Sequence, residues 1–288
     1  MELQTYAPAR FDGTLWDRGP RGAAGGAAAG AAANAAGAAP EELRIVTWNV
    51  WFGAHRFRQR AAALLAELER RQPDVIALQE VTAPLLAAIH AAPWVREGYQ
   101  VSELDLLGYD VMILARTPIA ELATLILPSA MGRRLLVARL ACGLDIATVH
   151  LESTAGCAPE RAEQLRIILP LLADRQDVLL VGDMNFEPGA PLETAALEPA
   201  ALEPGPAPAL TDVWPALRPD DPGYSVDSER NLMRLAAGTR SRKRIDRVFA
   251  RTRRWRPASI ELIGTAPIDA AGTFVSDHFG LEAVLRAV

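Results

Sequence analysis

From Leu43 onward the apolar residues fall into short runs whose period changes along the chain. Residues 43–50 read as a strand. Phe57, Ala61, Leu64, Leu65 and Leu68 then recur at helical spacing up to Gln72-Pro73, a stop signal. A short buried strand is expected over 75–78, with further strands over 110–115, 122–127, 135–140 and 144–150. The last two are joined as a hairpin by Ala141-Cys142-Gly143. A helix is expected over 159–172, ended or kinked by Pro170, because proline lacks the N–H that a helix interior needs. Residues 178–181 form another buried strand, the Pro/Ala/Glu-rich stretch 187–208 reads as a long surface loop, and strands return over 244–250, 260–264 and 281–285. Strands outnumber helices, and hairpins mix with crossovers. The pattern predicts an α/β fold in which two mixed, mainly antiparallel sheets pack face to face with helices outside.

The stretch ahead of this pattern differs. Residues 21–39 are almost entirely Ala and Gly, which supply no side chains for a core and read as a flexible tether. The expected division is an N-terminal arm over 1–20, a linker over 21–41 and one folded domain over 42–288. Phe11 and Trp16 let the arm either dock on the domain or hang free, and the pattern does not choose.

Composition narrows the class. At 288 residues and 50% hydrophobic content the chain can bury a sizeable core. It has no long uninterrupted apolar run, and its first twenty residues lack the basic-then-apolar layout of a secretory signal. The expectation is a cytoplasmic protein with no stable membrane association and no obligate protein partner. Its two cysteines form no CxxC pair, which argues against a disulfide framework or a structural zinc site. A net charge of −5 excludes a protein that coats nucleic acid through bulk charge, so any phosphate partner must meet a local patch.

Five polar clusters interrupt the apolar pattern, each just past the end of a strand: Thr47-Trp48-Asn49, Gln79-Glu80, His150 to Ser153, Gly182 to Asn185, and Ser276-Asp277-His278. One alone would be a turn or a cap; five invite a common site at one rim. Glu80, Asp183 and Asp277 are hard oxygen donors, and Asn49 and Asn185 can orient water or a phosphoryl oxygen. This set suits Mg²⁺, with Mn²⁺ as the alternative, better than zinc. Of the four histidines, His55 and His90 lie in helical or loop settings, whereas His150 and His278 end strands beside carboxylates. Phosphate diesters surround phosphorus with negative charge, so a site must neutralise oxygens and position hydroxide. Glu80 is assigned to the metal, Asp183 with Asn185 to water, and protonated His278 to a phosphoryl oxygen. Asp246 is the candidate anionic partner of His278, although spacing alone serves an ion pair with Arg244 or Arg247 nearly as well.

In order, TWNV (47–50), LQEV (78–81), HLES (150–153), GDMN (182–185), RIDRV (244–248) and SDH (276–278) resemble the signature of the endonuclease/exonuclease/phosphatase superfamily, across residues 43–288. The resemblance implies a four-layer α/β/β/α sandwich of the DNase I type. It also implies Asn49, Glu80 and Asp277 around metal and substrate, Asp183 and Asn185 at the nucleophile, and Asp246 supporting His278. HLEST followed by PERAEQL is most similar to the tyrosyl-DNA phosphodiesterase 2 branch, which implies phosphate-binding roles for His150 and Ser153. Three positions depart from that branch: Trp51 stands where it carries Asp, Phe186-Glu187 follows GDMN where it has a catalytic Arg, and Val226 replaces a substrate-lining Trp.

Between Arg240 and Arg256 lie nine basic residues and one acid, Asp246. Such a run, with Arg242, Lys243 and Arg244 nearest the motifs, can hold a nucleic-acid backbone beside the site, or half of it can be a solvated strand face. Aromatic residues are sparse at 6%, and Trp48, Trp51 and Trp214 are the candidates for stacking bases. The reading is a metal-dependent phosphodiesterase acting on nucleic acid. A phospholipid or small phosphodiester is the second possibility, with Met131 and the 189–210 stretch as candidate apolar contacts. A non-catalytic binding module is the third, and the array Glu80, Asp183, Asn185, Asp277 and His278 speaks against it.

Overall fold

The computed structural model describes residues 3–17, 40–102, 108–198, 209–233, 238 and 240–288. Most of the expected 21–41 linker therefore lies outside the described residues. The strands are β1 (Gln4–Tyr6), β2 (Arg10–Phe11), β3 (Trp16–Asp17), β4 (Glu42–Asn49), β5 (Val75–Thr82), β6 (Gln100–Val101), β7 (Tyr109–Ala115), β8 (Ile119–Ile126), β9 (Arg134–Leu140), β10 (Asp145–His150), β11 (Val178–Asp183), β12 (Thr211–Asp212), β13 (Val226–Asp227), β14 (Arg242–Lys243), β15 (Asp246–Arg251), β16 (Trp255–Ile263) and β17 (Gly280–Ala287). The helices are α1 (Phe57–Arg71), α2 (Ala83–Ala91), α3 (Pro93–Gly98), α4 (Ala158–Leu172), α5 (Pro191–Leu197) and α6 (Val213–Leu217).

Among the described residues two large sheets form, one in the order β1-β8-β9-β10-β11-β15-β12 and the other β16-β17-β4-β5-β7-β6. Both mix parallel pairs (β4 with β5, β10 with β11) with antiparallel ones. Their inner faces share one core, in which Leu43, Ile45 and Val75 meet Leu136, Ile146 and Val181. Alternation along each strand sends the neighbouring residues outward. Val46, Trp48 and Ile76 meet Leu64 and Leu68 of α1 and Leu85 and Ile89 of α2. Val149 and Leu180 meet Leu165 and Ile168 of α4. The result is the four-layer α/β/β/α sandwich. No helix among the described residues is long and apolar enough to cross a membrane.

The N-terminal arm lies along one edge of the sandwich. β1 pairs antiparallel with β8, Ala9 bridges Val101 of β6, and the Trp16 ring stacks on His90 at 4.5 Å. The arm thereby touches the edge of each sheet.

Helix α4 ends at Leu172 as expected, two residues past Pro170, whereas two other elements differ from the sequence expectation. Pro170 and Arg166, whose carbonyl the missing N–H leaves unpaired, both face solvent, where water replaces the lost bond. The 187–208 stretch is not wholly loop, because α5 packs on α4, and its Glu193 forms a buried pair with Arg161 at 2.8 Å. Residues 199–208 lie outside the described ones. Finally, β5 runs four residues beyond 78 and its pairing with β7 shifts between Leu78 and Val81. A bulge there re-aims a side chain, and it coincides with Glu80, held at φ 65°.

Between the sheets, beneath the bulge, Gln79 is fully buried. Its Nε2 donates to Thr47 Oγ1 on the same sheet and to Thr148 Oγ1 on the facing one, each at 3.1 Å.

Replacing Glu193→Ala leaves the Arg161 guanidinium buried without its carboxylate. Breaking a buried pair on one side costs about 3–5 kcal/mol, and urea unfolding of the variant is expected to show a loss of that order.

Candidate active site

The strand ends converge at one rim. In the ladders His150 stands beside Asp183 and Asp183 beside Asp246, while Asn49 stands beside Gln79 on the other sheet. Gly182, at φ 129°, brings Asp183 to this position. A Cβ there would lie 2.1 Å from the Val149 carbonyl oxygen, so the backbones meet closely only because the residue is glycine.

Asp183 is the hub. Its Oδ2 accepts from Asn49 Nδ2 at 3.0 Å and lies 3.4 Å from His150 Nε2 and 3.9 Å from His278 Nδ1, while its Oδ1 accepts from the Asn185 backbone N–H at 2.9 Å. Burial, with the Asp246 charge beside it, pushes the Asp183 carboxyl up to about 7. Asn185, at φ 55°, turns its amide nitrogen to the Leu151 carbonyl at 3.0 Å and to Ser153 Oγ at 3.3 Å.

The two histidines hold opposite charge states. Burial alone would lower His278, but its Nδ1 is 2.7 Å from Asp246 Oδ2, and that carboxylate outweighs burial and lifts it to about 10. His278 is therefore an imidazolium at neutral pH. Its main chain is tethered by Trp48 Nε1, which donates to the His278 carbonyl at 3.0 Å, and Asp246 is set by its N–H donating to Ser225 Oγ at 3.1 Å. His150 goes the other way, pushed well below the usual histidine range by burial and by the Arg133 and His278 cations. Arg133 Nη1 stands 3.0 Å from His150 Nδ1. A guanidinium can only donate, so Nδ1 is the acceptor and the proton sits on Nε2, toward Asp183.

Glu80 faces the same space from the other sheet. Its Oε1 accepts from Asn49 Nδ2 at 3.1 Å and its Oε2 from the Phe52 N–H at 2.8 Å. Burial raises its pKa, and the Asp277 charge adds to the rise while His278 opposes it. Two desolvated carboxylates repelling each other in this way form an environment that a divalent cation relieves, so the donor set fits a metal ion. Asp183, Asp246 and His278 also have ligand atoms within 4.8 Å of one another. That trio suits a metal poorly, because its His and Asp246 are already joined by a proton. Asn49 corrects the expected ligand set: its Oδ1 accepts from Trp51 N–H at 3.0 Å while its NH₂ faces Glu80 and Asp183. In this arrangement it enters the site as a hydrogen-bond donor to both carboxylates.

The basic run over 240–256 is not one patch. β15 carries it some 20 Å through the molecule at about 3.3 Å per residue, and its members separate. Arg244 and Arg247 are buried on Asp212 at 2.7 and 2.6 Å, Arg251 donates to the carbonyls of Leu172, Ala173 and Arg175 at and just past the end of α4, and Arg254 pairs with Asp177 at 2.8 Å. Arg244 is thereby corrected as a substrate contact. Arg242 is exposed but pairs with Glu229 at 3.0 Å, and Lys243 is exposed beside it. Of the three tryptophans, Trp48 and Trp214 are core, and Trp51 covers the Arg60 guanidinium at 4.5 Å.

Two arginines were missed in the sequence. Arg133 Nη2 donates to Ser153 Oγ at 2.7 Å, so it joins His150 and Ser153 in a donor-rich corner. Arg60, 2% exposed, donates to the carbonyls of Val50, Trp51, Gly53, His55 and Val275 and so ties the loop after β4 to the loop before Asp277. Arg60 sits on the buried face of α1 among apolar positions, which was the available signal. Arg133 precedes a strand and carries no comparable signal.

A model of the Endonuclease/Exonuclease/phosphatase family matches residues 46–278. Among curated proteins the chain is 28% identical over 253 residues to tyrosyl-DNA phosphodiesterase 2 of Homo sapiens, covering 82% of this chain and 66% of that protein. It is 29% identical over 251 residues to the Xenopus laevis protein of the same name, covering 82% and 64%. The chain thus spans just under two thirds of these relatives. The crystal structure of D. rerio TDP2 complexed with single-strand DNA product superposes with a TM-score of 0.70 at 26% identity, covering 86% of this chain and 100% of that one. An endonuclease/exonuclease/phosphatase from Bacteroides vulgatus shares the fold at a TM-score of 0.66 and 15% identity.

In an NMR titration of the metal-free protein His150 is expected to titrate well below 6.5 and His278 near 10. Because the folded pKa of His278 is raised, its contribution to stability is complete below about 6.5 and disappears as pH rises through about 10. Asp246→Asn should return His278 toward the ordinary range and remove that alkaline loss from pH-dependent urea melts.

Proposed function

This chain belongs to the endonuclease/exonuclease/phosphatase family, and from that premise we propose that it is a Mg²⁺-dependent phosphodiesterase acting on nucleic acid, of the 5′-tyrosyl-DNA type. The observation that carries the reading is a buried cluster in which Asn49 donates to Asp183, His278 lies 3.9 Å from Asp183 and is hydrogen-bonded to Asp246, and a carboxylate poised near 7 thereby faces an imidazolium. A general base with a pKa near the working pH and a fixed cation beside it are what hydrolysis of an anionic ester needs.

In this reading Glu80 and Asp277 hold the ion, which when bound neutralises phosphoryl charge and stabilises the leaving oxygen. Asp183 takes the proton from water as the water oxygen bonds to phosphorus and the ester P–O bond breaks, and Asn185 helps to aim that water. The His278 imidazolium donates to a phosphoryl oxygen whose charge grows in the transition state, and Asp246 keeps it protonated. Asn49, neutral His150 and Ser153, with Arg133 behind them, supply donors for the remaining oxygens. Support for the tyrosyl ester as substrate comes from the two relatives' shared name, and support for a DNA strand from the product in the D. rerio structure. The long basic run lends little, since its arginines are largely paired; Lys243 is the exposed cation nearest the motifs.

The deciding experiment is turnover with Mg²⁺ of a 5′-phosphotyrosyl oligonucleotide beside a plain oligonucleotide, an abasic duplex and sphingomyelin. Release of tyrosine is the expected result; cleavage of another substrate with the tyrosyl ester intact would reassign the substrate. Asp183→Asn should lower turnover by at least about 10²–10⁴-fold, the usual worth of a general base, and near wild-type activity would remove Asp183 from that role. Glu80→Gln is expected to raise the Mg²⁺ concentration needed for half-maximal activity. An unchanged metal titration would count against Glu80 as a ligand.

A further inference from the structure

Phe52 is the one aromatic residue among the exposed large hydrophobic side chains of the described residues, at 50% exposure, and it stands at the catalytic rim. Its ring lies on Tyr109 with centroids 4.7 Å apart and planes inclined by 4°. One face is therefore covered and the other meets solvent.

The placement of this ring is heavily constrained. Trp51 is held in the left-handed region at φ 56°, a conformation that an L residue with a bulky side chain keeps only where its surroundings enforce it. Asn49 Oδ1 accepts the Trp51 N–H at 3.0 Å, and Arg60 binds the Trp51 and Gly53 carbonyls on either side of Phe52 at 3.1 and 2.5 Å. The Phe52 N–H itself is committed to Glu80 Oε2 at 2.8 Å. Tyr109 fixes the other side of the pair. The Arg133 guanidinium lies 5.5 Å from its ring centroid and the His150 ring 6.3 Å away. The two stacked rings thus run from the metal-side carboxylate Glu80 to the corner where Arg133, His150 and Ser153 gather donors.

We propose that the Phe52–Tyr109 pair is a stacking platform that seats a planar aromatic ring of the substrate beside the reacting phosphate. The inference rests on the phosphodiester reading of the same site. A ring attached through one oxygen or one sugar to a phosphorus held between Glu80 and His150 comes within reach of the open face of Phe52. Because Tyr109 already fixes the Phe52 ring, seating a third ring orders little more of the protein. Two parts of a 5′-tyrosyl nucleotide carry such a ring, the phenolic leaving group and the first nucleobase, and both offer the same π face. The platform sets preference for an aromatic substituent through binding, without touching the proton transfers.

The test compares wild type, Phe52→Leu and Phe52→Trp on a 5′-phosphotyrosyl oligonucleotide. Leucine keeps apolar cover over Tyr109 without a π face, and tryptophan keeps the face. Phe52→Leu is expected to raise KM about tenfold, within the range of one base–aromatic stack, with kcat unchanged, while Phe52→Trp retains the wild-type KM. Repeating the series with the 5′-terminal base removed identifies the ring. A Leu penalty that vanishes assigns the nucleobase, and one that persists assigns the phenol. The proposal is overturned if Phe52→Leu matches wild type on the intact substrate, or if Phe52→Trp loses as much as Phe52→Leu. Should wild type leave the tyrosyl ester uncut, the substrate reading fails separately. The platform is then decided by the affinity of the three proteins for the same oligonucleotide in fluorescence anisotropy, where a loss confined to Phe52→Leu supports it and equal affinities overturn it.

Discussion

Asp183 and Asp246 stand directly opposite one another on adjacent strands, both buried, and like charges so placed repel. The fold tolerates them because the His278 imidazolium bonds one and approaches the other, while the Asn49 amide donates to Asp183 from the facing sheet. These four residues come from four separate stretches of chain. The charge balance exists only once both sheets have closed, with Trp48 of β4 holding the His278 backbone and Ser225 holding Asp246. Site and fold are therefore one cooperative structure. The rim carries its charges because the sandwich brings their partners to it.

Features that depend on local pattern were legible in the sequence. Alternation along the strands gave both sheets, since each inward residue has an outward neighbour that a helix covers. The polar clusters were legible because each interrupts an apolar run at a strand end. What failed depended on the third dimension. Arg244 and Lys243 are adjacent and equally basic, yet the first is buried on Asp212 and the second is exposed, and only the approach of β12 to β15 decides between them. Helix α5 was hidden because its stability comes from the Glu193–Arg161 pair and from packing on α4, which a local stretch of Pro, Ala and Glu does not announce. Pro170 did not mislead: helix α4 ends two residues beyond it, at Leu172, as the pattern indicated.

The donor-rich corner shows how a guanidinium can reach a site without lying in a motif. Where resemblance to the tyrosyl-DNA phosphodiesterase branch implied an arginine just after GDMN, this chain has buried Phe186 and exposed Glu187. Arg133 arrives from the start of β9 instead, and it fixes the tautomer of His150 as it does so. Two histidines of identical chemistry are thus made different by their surroundings, one kept neutral by burial and neighbouring cations and the other kept charged by an anion.

Gln79 has a consequence of a mechanical kind. A site assembled from the ends of strands in two stacked sheets is vulnerable to shear, because a slide of one sheet over the other by a fraction of a strand residue would pull Asn49 from Asp183. Apolar packing resists separation far better than it resists sliding, since van der Waals contacts have little directional preference. Gln79 adds direction: its amide reaches Thr47 on its own sheet and Thr148 on the other, two residues before Asn49 and two before His150. It works as a dowel between two plates, placed where slippage would do the most harm.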